Sequence, residues 1–187
     1  MKAQIKEFLL RVLPVMIGVY LGFVLSNWNE GQKRKHQVEV LKESILQEIE
    51  FNTEALKRKV EYHAYLKDSV EYYLEMADSL EAKKPNFFQG LQITPLVSSA
   101  YQTGNQTGII TELKMNTILK LNQLYTYQND YNDYVKITMA GFINKDFTDK
   151  RENVYQILHF LSITMTDLEI KERDLIKNYD NIKQNLN

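Results

Sequence analysis

One stretch constrains this chain more than any other: residues 8–30, FLLRVLPVMIGVYLGFVLSNWNE. It is almost uninterrupted in apolarity from Val12 to Leu25, with Lys2, Lys6 and Arg11 before it and Lys33, Arg34 and Lys35 after it. A helix rises about 1.5 Å per residue and a bilayer's hydrocarbon core is roughly 30 Å thick, so about 20 residues are needed to cross it. The segment reaches that length provided Arg11 snorkels toward the headgroups while Trp28 marks the opposite interface. The strictly uncharged run is shorter, in the range of a signal-peptide core. After Leu25, however, Ser26-Asn27-Trp28-Asn29 offers no small-residue cleavage site. The run is also apolar on all sides rather than along one stripe, which argues against a buried core helix. The expectation is an uncleaved anchor, with residues 1–31 as tail and transmembrane helix and residues 32–187 as a domain held at the bilayer.

Within the anchor, Pro14, Gly18, Gly22 and Ser26 are spaced by four and share one helix face. Small residues at this spacing let two membrane helices approach closely, although glycine is common in membrane helices anyway. The face predicts packing of the anchor against a second copy.

Downstream, the pattern is helical throughout. No glycine or proline occurs from Gln32 to Ala82, and apolar residues recur at steps of three and four, with Asn52 and His63 occupying places in the same stripe. This predicts a helix over about residues 32–82. Pro85 and Gly90 interrupt it, and Thr94-Pro95 reads as a cap and first turn of a short helix over about 95–103. Gly104 and Gly108 bracket a turn. A third helix is expected over about 111–142 and a fourth over about 149–186, whose stripe alternates three and four with one break at Glu172. Short connections imply antiparallel neighbours. The predicted fold is all-α: a transmembrane helix followed by an elongated antiparallel three- or four-helix bundle.

Helix lengths carry a further expectation. About 75 Å of first helix against about 50 Å of the third leaves the anchor-proximal part of the first without a partner in its own chain. Val38, Leu41, Ile45 and Ile49 would then form a coiled-coil face for a second copy or another protein.

Composition narrows function by exclusion. Net charge is −1 with both signs mixed along the chain, which is unlike a nucleic-acid binder. There is no cysteine, and the three histidines stand far apart at 36, 63 and 159, so neither a thiolate site nor a spaced histidine motif is present. No nucleophile elbow, phosphate loop or dinucleotide fingerprint occurs. The expectation is a non-enzymatic protein with no cofactor. The twelve tyrosines offer one other lead. Antiparallel packing of the first and third helices would bring Tyr65, Tyr72, Tyr127 and Tyr131 to one level, as a small-ligand pocket or as core with hydroxyls at the surface. The spacing favours core.

The motif IGVYLGFVLSNWNEGQKRK also carries a resemblance. Gly18, Gly22, Asn27, Trp28, Asn29 and Glu30, followed by Leu41, Ile45, Glu48 and Asn52, resemble a family of small bacterial single-pass membrane proteins. In that family the anchor ends in an Asn-Asn-Trp-Asn-Glu-like motif. Ser26 stands where the family usually has asparagine, and residues 100–125 resemble its central segment more loosely. The resemblance implies a membrane-anchored helical domain of unknown function and supplies no catalytic residues. Together these readings predict a helical interaction or scaffold module at a bacterial inner membrane. Its partners would be the bilayer, a second copy and an unidentified protein. The short basic N-terminus places its bundle in the periplasm. The alternative is an extracytoplasmic small-ligand sensor.

Overall fold

The computed structural model describes residues 2–76 and 86–186, except for the side chains of residues 2–12 and 185. Every regular element among them is helical. Helix α1 is Lys2–Glu75, α2 is Ser99–Gln106, a 3-10 turn covers Ile109–Glu112, α3 is Met115–Ile143 and α4 is Arg151–Leu186. The anchor segment and the first bundle helix are therefore one element of 74 residues, about 110 Å long. Gly31 does not end it, because an isolated glycine costs a helix only about 1 kcal/mol. Residues 77–82, the expected end of the long helix, lie outside the described residues.

Side-chain contacts fix the chain's path. From Phe87, packed edge-on against Tyr73, the chain returns along α1: Gly90 lies at Tyr62, Val97 at Asn52, and Glu112 at Arg34. Its first part, up to Ser98, is extended or turned rather than helical. Helix α3 then runs in the same direction as α1, with Tyr125 at the level of Glu48 and Gln128 at that of Asn52. Helix α4 runs against both, pairing Glu169 with Lys67, Glu172 with His63, and Tyr179 with Gln128. The order is up, down, up, down, with the first descending stroke made largely of non-helical chain. This corrects the expectation that α1 and α3 are antiparallel. A connection with almost no helix of its own carries the chain back to the start, and α3 sets off alongside α1.

Two further corrections follow. The short helix begins at Ser99, not Pro95, because the backbone of residues 96 and 97 is bonded outside any helix by the side chains of Asn132 and Asn52. The proposed coiled-coil face is buried by its own chain. Ile45 and Ile49 are fully enclosed, Leu41 is nearly so, and Val38 packs against the same core, which also holds Ile110, Leu113 and Leu121. The return segment, absent from the length argument, covers this part of α1. Its helix α2 comes so close that a Cβ on Gly104 would lie 2.8 Å from Leu41 Cδ1. Gly104 is thus a close-approach residue inside α2 rather than one bracket of a turn. Gly108, at φ 73°, does take the turn conformation that favours glycine.

The apolar segment at the start of α1 stands apart from this core. No helix among the described residues is long and apolar enough to cross a membrane. The side chains of residues 8–12, including Arg11, lie outside the described set. Within residues 13–28 every side chain is exposed.

Because Ile45 sits in a closed core while Phe51 on the same helix is 58% exposed, the two are expected to respond differently. Ile45→Ala should lower unfolding free energy by roughly 2–5 kcal/mol. Phe51→Ala should stay within about 0.5 kcal/mol, as surface changes do. Urea denaturation followed by circular dichroism measures both, and equal effects would contradict the burial of the anchor-proximal stripe.

Candidate functional site

The return segment poses a chemical problem. Extended backbone packed against helices cannot draw hydrogen bonds from them, because their own amides and carbonyls are already used. Three groups of buried and half-buried polar side chains solve it, most of them at positions where sequence stripes are otherwise apolar.

The first group is built on Glu48. Its Oε2 accepts from the Ala100 N–H at 2.7 Å and from the Ser99 hydroxyl at 3.1 Å, while Oε1 accepts from the Tyr125 hydroxyl at 2.7 Å. Ser98, at the N-cap position of α2, makes no side-chain cap. A carboxylate from α1 does that work, where the exposed N–H groups and helix dipole favour negative charge. Tyr101 stacks on Tyr125 with ring centroids 4.0 Å apart and planes 8° from parallel.

The second group is a set of amides. Asn52 accepts from the Val97 N–H at 2.9 Å and donates to the Val97 carbonyl at 2.7 Å. Asn132 does the same to Leu96, at 2.8 and 2.9 Å. Each primary amide thus serves one residue as a neighbouring strand would. Gln128 adds a bond to the Val97 carbonyl and accepts from Asn52 and from the Tyr179 hydroxyl.

The third group joins three parts of the chain at His63. Its Nε2 lies 2.8 Å from the Leu91 carbonyl, which only accepts, so Nε2 carries a proton. Its Nδ1 lies 2.9 Å from Glu172 Oε2, and Glu172 Oε1 accepts from Tyr131 at 3.0 Å. The side chains of His63 and Glu172 are wholly buried. A histidine, a carboxylate and a tyrosine resemble catalytic equipment, but a general acid or base must reach a substrate. None of the four principal cavities is lined by any of the three. Among the described residues no cluster of three or more carboxylates and histidines is placed to hold a metal. The arrangement is a clasp between α1, α3, α4 and the return segment.

The tyrosine pocket does not form. Tyr65, Tyr72 and Tyr127 are 56%, 64% and 46% exposed, whereas Tyr131 is buried in the clasp. With α3 parallel to α1, Tyr125 meets Glu48 on α1 and Tyr131 meets Glu172 on α4, so neither joins Tyr72. Tyr127 instead borders a shallow site beside Lys120 and Asn178. A groove of about 650 Å³ does form between α1 and α2, near the exposed apolar segment. Val40, Ser44, Gln47 and Phe51 make one wall, and Val97, Thr103, Thr107 and Ile109 contribute to the other. Its charge-bearing side chains are Glu48, engaged beneath, and His36 at the anchor end.

Sequence reasoning passed over Glu48, Gln128 and Asn132 as site residues. Glu48 and Gln128 carry a visible signal, as polar residues among core positions like Asn52, His63 and Glu172, whereas half-buried Asn132, beside the stripe residue Tyr131, carries none.

Burial raises the hydroxyl pKa of Tyr125, Tyr131 and Tyr179, and Tyr134 is pushed up to about 12, chiefly by burial and then by its bond to Asp167. A value raised by folding means that the neutral tyrosine is the one the fold accommodates. This stability is complete below about pH 10 and is lost as pH rises through the raised values. Tyr62 is raised too, chiefly by burial, so alkaline titration should show the ionisation of five tyrosines coinciding with loss of helical circular dichroism. Reversible ionisation of all twelve with the helix signal intact would contradict it.

Comparison of the chain with family models, curated proteins and solved structures finds no match.

Proposed function

We propose that the protein is a membrane-anchored helical interaction module, non-enzymatic, that pairs with a second copy and presents its bundle from the periplasmic face of a bacterial inner membrane. The observation that carries this reading is the exposure of residues 13–28 on a helix continuous with the bundle core. Val15, Met16, Tyr20, Phe23 and Leu25 are each 64–69% exposed. A contiguous apolar surface of this kind marks an interaction with another protein or with lipid. Its all-round distribution suits lipid, and residues 8–12 extend the apolar sequence toward a full span. The resemblance at residues 18–30 points the same way.

Charging the middle of such a segment costs about 2.5–3.5 kcal/mol per residue in membrane insertion. The native chain should stay in the membrane pellet through carbonate extraction, and a Val19→Arg, Leu21→Asp double variant should be released. A phosphatase fused after Asn187 should be active only if the bundle is periplasmic. Carbonate release of the native chain would end the anchor reading.

Pairing is supported by register along α1. Gly22 to Val40, and Ser26 to Ser44, are each 18 residues, five turns of helix. The small-residue face of the anchor is therefore on the same side of α1 as the groove wall, and no atom outside the helix approaches the Cβ positions of Gly18 or Gly22. Two copies meeting at these glycines bring their grooves together. The chain lacks native cysteine, so single substitutions report proximity directly. Gln47→Cys should crosslink between copies in membranes, whereas Asp133→Cys on α3 should not. The crosslink should disappear when Gly18 and Gly22 are both changed to Ile. Equal crosslinking at both positions would remove the paired arrangement. The competing reading, a ligand sensor built on Tyr65, Tyr72, Tyr127 and Tyr131, has no assembled site behind it.

A further inference from the structure

At the end of the bundle away from the anchor, α3 turns into α4 beneath the start of the return segment. A cavity of about 200 Å³ opens there. Phe88, Phe142 and Phe147 make one side, with Phe142 centred 5.4 Å from Phe88 and 5.0 Å from Phe147, tilted 49° and 69° to them. Aliphatic side chains from α4, Val154, Ile157 and Leu158, make the other. No charged residue lines it, and its one polar side chain, Thr148, already accepts from Asn153 at 2.7 Å.

Volume and lining together define what fits. An apolar cavity of about 150 Å³ lined by leucine, isoleucine and phenylalanine stays dry and takes up benzene. This one is somewhat larger and richer in rings. Aromatic faces and edges attract a further ring at tilted or offset geometry, adding about 0.5–1.5 kcal/mol to simple burial. A charged guest would lose its hydration with no partner to replace it. We infer that the distal cavity is a binding site for a small uncharged aromatic molecule, of the size of indole or a monosubstituted benzene. The site lies at the far end of the bundle from the anchor and stands whether or not the anchor enters a bilayer.

Indole is the probe. Titrated into the full chain carrying 13C-labelled valine, leucine and isoleucine methyl groups, it should shift the signals of Val154, Ile157 and Leu158 saturably. Melting temperature should rise with indole concentration as mass action requires. Ile157→Phe, which fills the cavity, should weaken binding by roughly tenfold, a change of about 1.4 kcal/mol. The methyl map of the native chain decides the matter even where that variant folds poorly. Shifts confined to residues 13–25 or to Val40 in the anchor-proximal groove would overturn the assignment. So would the absence of saturable shifts at the three α4 residues.

Discussion

The fold depends on side chains standing in for a strand. Residues 90–97 cross the bundle without regular structure, and their amides and carbonyls would be costly to bury unpaired, about 1–3 kcal/mol for each group. Asn52 and Asn132 each return both bonds of one residue, and His63 and Tyr62 take the carbonyls of Leu91 and Gly90. These partners come from α1 and α3, so the return segment also sets the spacing and register of the two parallel helices. An apolar core would hold the helices together without specifying how far one slides past the other. Directional bonds at Leu91, Leu96 and Val97 fix that offset.

The same polar set explains how α2 ends up over the anchor-proximal part of α1. Glu48 draws the N-terminus of α2 to itself, and Gly104, a little over one turn later, lets the helix backbone settle against Leu41. Arg34 and Glu112 continue the contact toward the anchor at 3.2 Å, though both are exposed and such a pair adds little. Stripe residues 41, 45 and 49 are covered as a result, while Val40, Gln47 and Phe51 stay exposed on the side that lines the groove. An α1 that looked bare along its core face is bare along the next face round.

Much of the architecture was legible in the sequence, and the failures share one cause. Helical spacing placed the third and fourth helices within a few residues of their bounds, and the helical character of the first, because amphipathic periodicity is a local property. Asn52, His63 and Glu172 stood out as breaks in those stripes. What the breaks were for was not legible, since Asn52 and His63 bond backbone groups in residues 90–97, a stretch with no periodicity, and Glu172 joins them only through His63. The length comparison between helices treated that stretch as a mere turn, so α3 was sent in the wrong direction. The tyrosine level followed from the wrong direction and fell with it. The Pro95 start was a local signal overridden by tertiary bonding at Leu96 and Val97.

Continuity of α1 has a mechanical consequence. Nothing in the stretch between the exposed apolar residues and Leu41 offers a flexible joint: Gly31 is the one glycine between Gly22 and Gly90, and it lies within the helix. Rotation or tilt of the first segment is therefore passed to the bundle by a rigid rod, and arrives at Glu48, Asn52 and His63, the α1 residues that grip the return segment. These three bonds join α1 to α2, α3 and α4. A twist of α1 cannot be absorbed by one slack contact, because each bond is directional and held within packed or partly packed surroundings. It must move the other elements together or be resisted by all of them. The polar clasp that solves a backbone-bonding problem in the core thereby makes the bundle respond to its first helix as one body.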